Sequence, residues 1–307
     1  MKVGIYFDKG GGERGGPYVR TKLLAKYIPY VEIFSNIKKA SEYDLLDFQW
    51  RVPKQLESYK HLCTFHGIVP LKYCSNLHAK MAMWLRTQEQ RRVLKTARAI
   101  IAVSKEAERQ LASLTRKKAQ VIYAGFEPGK YKIKKKQNKA LFLNSLERYE
   151  NLQVVLDALS YSTPDVIVNV YGYGRMQKDY EKQIEEINLP VKIRKEVDNN
   201  IIIKELATSK FLLQPASCET FGLPVCEAMA SGTIAIISDI PSHRENFTNV
   251  LFFNPDDPVT LAQLIKEVLA NKHDYLIEPA LKEVKEKYNV KRFIEETRKI
   301  YEEVLND

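Results

Sequence analysis

A chain of 307 residues, 45% apolar and 28% charged, can bury a sizeable core and has length for two domains, so disorder is excluded as its overall state. Its apolar runs, such as Ala99 to Val103, fall far short of the roughly 18 residues that a membrane-spanning helix needs. The net charge of +10 is unevenly spread: residues 1–139 hold 29 Lys and Arg against 11 Asp and Glu, whereas residues 140–307 hold 19 against 27.

In chain order, Lys2 to Phe7 reads as a strand. It reaches Asp8 and the loop Gly10-Gly11-Gly12-Glu13-Arg14-Gly15-Gly16-Pro17 before a signal-peptide core could form, so a cytoplasmic location is expected. A helical pattern follows from Tyr18 to Ile28, then strand candidates at Val31–Phe34, His61–Phe65, Ala99–Ser104 and Gln120–Ala124, with a long helix at Ala79–Ala97. The lysine-rich stretch 131–139 has few packing residues and reads as an interdomain linker, which sets a first domain at 1–130 and a second at 140–289.

The alternation restarts beyond it. Strands are expected at Ala140–Leu143, Val166–Tyr171, Val191–Ile193, Phe211–Gln214, Ile234–Ile237 and Leu251–Phe253. Helices are expected at Leu152–Ser160, Met176–Ile187, Ile201–Ala207, Pro224–Ala230 and Pro258–Ala270. Strands alternating with helices imply parallel sheets in both halves, an α/β chain of two doubly wound domains. The terminal helical stretch, 290–307 in its last part, is expected to cross back onto the first domain. Cys63, Cys74, Cys218 and Cys226 form no CxxC pair, so neither a disulfide framework nor structural zinc is expected.

The densest candidate site runs from Pro215 to Gly232. It follows a buried strand, places Gly222 where backbone can approach a ligand, and puts Pro224 near a helix start. The N–H groups of Phe221, Gly222 and Leu223, with Thr220 beside them, would point out of a helix N-terminus and suit a phosphate. Glu219 precedes that helix and Glu227 lies about one turn inside it, so the two carboxylates can flank one ligand. Singly, each also fits an ordinary loop or first-turn carboxylate.

Together, Glu219-x7-Glu227 with Phe221-Gly222-Leu223-Pro224 inside and Ala228-Met229-Ala230-x-Gly232 after it resembles family 4 of the retaining glycosyltransferases, enzymes of the GT-B fold. Gly15-Gly16 is similar to the family's first glycine loop, Thr64-Phe65-His66-Gly67 to its strand-end histidine, and Tyr171-Gly172-Tyr173-Gly174 to its second-domain glycine turn. Ser238-Asp239-Ile240-Pro241 with Arg244-Glu245 is similar to the loop after its acidic helix. The resemblance implies two Rossmann-like domains facing across a cleft. It also implies a retaining, metal-independent hexosyltransferase that takes a sugar from a UDP- or GDP-sugar and needs no cofactor. On it, Glu219 and His66 are the catalytic candidates. Gly15, Gly16, Ser145, Gly172, Thr220, Phe221, Gly222, Leu223 and Glu227 are the donor-binding candidates.

One departure stands out. Where the family has Arg and Lys gripping the leaving diphosphate, this chain has Asn144-Ser145-Leu146 and then Glu150-Asn151. Arg14, Arg148, Arg194 and Lys195 are the candidate replacement cations, and a catalytically degenerate sugar-nucleotide-binding or scaffold protein stays open as an alternative. On the acceptor side, Lys72, Lys80, Arg86, Arg91, Arg92, Lys95 and Arg98 interleave with Met81, Met83, Trp84 and Leu85. That stretch suits a glycan or lipid-linked acceptor at an anionic membrane, and equally a core-facing helix with a solvated basic face. A nucleic-acid or protein acceptor is the remaining rival, and no RNA-binding aromatic motif or zinc finger supports the former.

Overall fold

The computed structural model describes all residues except 8–14, 50–51, 75, 162–164 and 195–197. In chain order the first elements are β1 (Val3–Tyr6), α1 (Gly15–Tyr27), β2 (Val31–Phe34), β3 (Leu45–Phe48), β4 (His61–Phe65), α2 (Leu77–Thr96), β5 (Ile100–Ala102), α3 (Lys105–Leu111) and β6 (Gln120–Val121). Then come β7 (Gln137–Phe142), α4 (Leu152–Tyr161), β8 (Ile167–Tyr171), α5 (Gln177–Glu186), β9 (Val191–Arg194), α6 (Asn199–Thr208) and β10 (Ser209–Gln214). The chain closes with α7 (Leu223–Ala230), β11 (Ile234–Ser238), α8 (Pro241–Asn246), β12 (Leu251–Phe253), α9 (Pro258–Leu269), α10 (Ile277–Lys287) and α11 (Val290–Asn306).

Two compact units result. Unit 1 holds Met1–Leu71, Asn76–Phe126 and Tyr288–Asp307; unit 2 holds Lys72–Ser75 and Glu127–Lys287. Each contains a six-stranded sheet with every pairing parallel, in the orders β2-β1-β3-β4-β5-β6 and β12-β11-β10-β7-β8-β9. Parallel strands need crossovers, and the helices that supply them cover both faces.

In unit 1 the side chains alternate between two apolar layers. Val3, Ile5, Leu45, Leu62 and Ile101 pack with Leu24 of α1, with Ile28 just after it, and with Phe293, Ile300 and Tyr301 of α11. Tyr6, Leu46, Phe48, Cys63 and Phe65 face the other way, against Val93 and Leu94 of α2 and Ala107 and Leu111 of α3. The terminal helix is thus part of unit 1, and a Cβ on Gly125 would collide with the ring of Phe293.

Three features depart from the sequence reading. The buried strand β3 carries Asp47 within Leu-Leu-Asp-Phe, and that charge hides an otherwise apolar run. Short α3 is capped by Ser104, whose side chain accepts from Ala107 N–H. The stretch 131–139, expected as a linker, lies within unit 2, and β7 already begins at Gln137. The reason is amphipathic lysine. Lys136 Nζ donates to the carbonyls of Leu206 (3.2 Å), Ala207 (3.3 Å) and Ser231 (2.7 Å) and to Thr233 Oγ1 (2.8 Å), at the C-terminal ends of α6 and α7. Burial lowers its ammonium to about 8.

Candidate active site

Counted within unit 2, the strand order is 3-2-1-4-5-6, and it reverses direction between β7 and β10. Ligands of open parallel sheets bind outside the carboxyl ends of the strands at such a reversal. The loops that leave β7 and β10 there are 143–151 and 215–222. Ser217 N–H donates to Tyr149 O at 2.7 Å, which joins them. A third loop is fastened to the first: Leu146 N–H donates to Tyr173 O (3.0 Å) and Met176 N–H to Leu146 O (3.0 Å). This explains Gly172-x-Gly174 sterically. A Cβ at Gly172 would collide with the Asn144 carbonyl, and one at Gly174 with the Leu146 backbone. Gly172 is therefore a packing requirement that sets the course of 144–146.

On the β10 side, Gly222 adopts φ +93°, the left-handed conformation that glycine tolerates, and caps α7 ahead of Leu223 and Pro224. Glu219 Oε1 accepts from Thr220 N–H (2.7 Å) and Phe221 N–H (3.3 Å). Phe221 N–H, expected to face a phosphate, is held in this structure by the carboxylate of Glu219. Burial raises the Glu219 carboxyl, and those two N–H groups work against the rise. The loop is braced from behind by Asn246, whose Nδ2 donates to Thr220 O (3.3 Å) and Phe221 O (3.1 Å), and by Ser238 Oγ donating to Ala216 O (2.5 Å).

Glu227, on the first turns of α7, accepts at Oε1 from Tyr131 O–H at 2.8 Å. Burial pushes its carboxyl up to about 7, partly offset by that hydrogen bond. Near neutral pH both protonation states are populated. A ribose hydroxyl reaching this carboxyl would share it with Tyr131.

Across the reversal, Ser145 Oγ donates to Glu150 Oε1 at 3.2 Å. Glu150 is only 9% exposed, and its Oε2 has no hydrogen-bond partner among the described residues. Burial, then the charge of Glu219, raises its carboxyl well above the ordinary range. Two more buried groups at these strand ends lack partners among the described residues: Asn144 Nδ2, and both amide atoms of Gln214 at the end of β10. Of the candidate replacement cations, Arg148 is exposed and Arg194 Nη2 reaches Asn169 Oδ1 at 3.5 Å, while Arg14 and Lys195 lie outside the described residues.

Unit 1 carries the remaining candidates. His66 follows β4, and its Nε2 donates to Gln49 Oε1 at 3.0 Å. Gln49 Nε2 in turn donates to Asp47 Oδ2 (2.6 Å), which also accepts from Tyr301 O–H (2.6 Å); Thr64 Oγ1 donates to Asp47 Oδ1 (3.0 Å). Burial, helped by the Arg20 guanidinium, lowers His66 to about 3, so the imidazole is neutral. Arg20 is itself buried, 4.5 Å from the Phe293 ring centroid. Gly15 and Gly16 open α1, Gly15 with φ +82°.

The helix α2 alters the reading of its arginines. Arg92 Nε pairs with Glu57 Oε1 at 2.6 Å, and Arg91 Nη2 donates to Ser113 O at 3.3 Å, so both are engaged within the unit. Arg86 lines a cavity of about 400 Å³ with Tyr6, Val52, Pro53, Ala82, Leu85 and Glu89. Leu77, Met81, Trp84 and Leu85 are exposed at spacings that share one side of the helix.

Comparison with known proteins decides the family. The model of glycosyl transferases group 1 matches residues 125–295, more than half of the chain, and that of Glycosyltransferase Family 4 matches residues 9–130. The chain belongs to the glycosyl transferases group 1 family. This group 1 chain is 25% identical over 210 residues to the O-antigen chain mannosyltransferase RfbU of Salmonella typhimurium, a match spanning 67% of this chain and 60% of that protein. It is 21% identical over 304 residues to an uncharacterized glycosyltransferase of Methanocaldococcus jannaschii, covering 87% of this chain and 77% of the relative. Its fold matches Anabaena HepE, solved with UDP-glucose, with a TM-score of 0.83 at 17% identity, covering 99% of this chain and all of that one. Sucrose-phosphate synthase from Thermosynechococcus elongatus gives 0.81 at 15% identity, covering 100% and 99%. These likenesses establish the GT-B fold.

Within unit 2 the group 1 fold gathers Glu219, Thr220, Phe221, Gly222, Leu223, Ser145 and Gly172 on loops at one end of the sheet, with Glu227 on α7. Sequence reasoning missed Tyr131, Gln214, Asn246 and, in unit 1, Gln49 and Asp47. Gln214 carried a usable signal, since an amide ending the apolar run Phe-Leu-Leu at a strand's carboxyl end is a polar group held for a ligand or a partner.

Proposed function

We propose that this chain is a retaining, metal-independent glycosyltransferase that moves a sugar from a nucleoside-diphosphate donor to a glycan or lipid-linked acceptor. The observation that carries the reading is Glu219 at the strand-order reversal of unit 2, beside the Gly222-capped N-terminus of α7. A carboxylate there can orient the sugar and favour the positive charge that develops at the anomeric carbon, while the helix N-terminus favours the departing phosphate. Glu219 must release Phe221 N–H for that second role. On unit 1, His66 is neutral and so presents an imidazole without a positive charge. The names of the relatives support the class: one is a mannosyltransferase, and one structural neighbour was solved with UDP-glucose.

The acceptor is proposed to be presented at an anionic membrane, with the apolar side of α2 and the basic charge of residues 1–139 as support. The inactive alternative is favoured by Glu150 and Ser145 standing where cations are expected. Incubation with UDP- and GDP-sugars, following donor hydrolysis and transfer, separates the two. The wild type is expected to turn over and Glu219→Ala to lose at least a hundredfold while keeping its unfolding temperature. Near-normal turnover in Glu219→Ala removes Glu219 from the site, and none in the wild type supports the alternative.

A further inference from the structure

The carboxyl of Glu150 occupies an unusual place. It is buried at the carboxyl end of β7, with Oε1 bonded to Ser145 Oγ and Oε2 unpartnered among the described residues. A buried carboxylate oxygen without a donor is costly, whereas the neutral acid has an O–H that requires an acceptor. Its surroundings favour the neutral form. Glu147 lies on its own loop and Glu219 on the loop after β10; both are acidic. Tyr149, also beside it, is pushed up by burial, then by the charge of Glu150 and more weakly by Glu147 and Glu219. Arg175 Nε, on the turn after β8, donates to Glu147 Oε2 at 2.9 Å. Arg148 is exposed.

Other unpartnered amide groups lie at the same end of the sheet. Asn144 Nδ2 and Gln214 Nε2 are buried and unpartnered at the ends of β7 and β10, the strands that flank the reversal. Two amide groups with N–H donors and one carboxylic O–H would meet a ligand rich in acceptor oxygens.

We propose that Glu150 acts as a neutral acid that donates its O–H to an oxygen of the nucleoside diphosphate, so that this site grips its donor through a proton where a fixed cation would otherwise stand. This rests on the nucleotide-donor reading and deepens it. Ionising Glu150 removes the hydrogen bond and sets a second negative charge beside Glu219 against an anionic ligand. Nucleotide affinity therefore falls as pH rises through the titration of Glu150, by up to tenfold per pH unit, and on that limb each bound nucleotide takes one proton from solvent.

The test is the Kd of UDP and of GDP for the full chain from pH 6.5 to 9.5, with calorimetry in two buffers of different ionisation enthalpy on the falling limb. The wild type is expected to weaken with pH and to take up close to one proton per nucleotide. Glu150→Gln, which keeps an N–H donor and cannot ionise, is expected to flatten the profile and lose that uptake. Parallel profiles for wild type and variant overturn the proposal. Should Glu150→Gln fail to fold, Ser145→Ala removes a hydrogen bond that favours the ionised form and must move the falling limb to higher pH; an unmoved limb overturns it equally. If the folded wild type binds none of UDP, GDP, ADP and dTDP at any pH, the nucleotide-donor reading itself fails and takes the proposal with it.

Discussion

Glu219 and Glu227 stand eight residues apart, yet each carboxyl meets a different partner: one its own following backbone, the other a tyrosine 96 residues earlier in sequence. The second arrangement couples stability to pH. Glu227 is raised to about 7 in the folded chain, while in the unfolded chain it returns to its ordinary value of about 4.5. Between those values the native state binds a proton that the unfolded state has lost. The stability contributed by neutral Glu227 is therefore fully present below about pH 4.5 and fades as pH rises to about 7, at about 1.4 kcal/mol per unit and about 3 kcal/mol in total. Urea unfolding of wild type and Glu227→Gln is expected to show the variant gaining on the wild type by that amount from pH 4.5 to 7, then running parallel. Parallel curves throughout would contradict it. At this scale the spacing of the two glutamates was legible because it is local. Tyr131, Gln214 and Asn246 were not, because their roles depend on contacts that only the folded sheet creates.

Elements set by strong local patterns were readable to the residue: β2, β4 and β12 coincide with their apolar runs. Those whose polar residues find tertiary partners were not. Asp47 disguised β3 because two of its partners, Tyr301 and Thr64, come from distant segments, while Gln49 lies just past the strand. Lys136 and Lys139 disguised the start of β7 because their ammonium groups are held by helix-end carbonyls and by Glu205. Helix α2 shows the converse, since it buries only Ala79, Val93 and Leu94 and leaves Leu77, Met81, Trp84 and Leu85 exposed. Exposed apolar side chains on one side of a helix gain by seating at a lipid interface, with Lys80 nearby for anionic headgroups. Sedimentation with vesicles containing anionic lipid is expected to capture the chain, and Trp84→Glu with Leu85→Glu to weaken capture about tenfold. Equal binding to purely neutral vesicles, or no effect of the double variant, would contradict an α2-mediated membrane contact.

For the whole molecule, alternation of strands and helices was enough to read two parallel sheets, and the Glu219-x7-Glu227 run was enough to read the family. Strand order was beyond the sequence, because the pairing of β7 with β10 joins segments about 70 residues apart through packing alone. That pairing places Ser145 and Glu150 at the same sheet end as Glu219. Among the described residues no helix is long and apolar enough to cross a membrane. The central claim, a nucleotide-sugar donor site in unit 2, is tested most directly by thermal unfolding against UDP, GDP, ADP and dTDP, each with and without magnesium. A nucleotide at about 100 times its Kd adds roughly 2.7 kcal/mol of stability. A shift of that size is expected for one nucleoside diphosphate, of equal magnitude with and without magnesium; the absence of a shift with all four in a folded protein would contradict a nucleotide-sugar donor site.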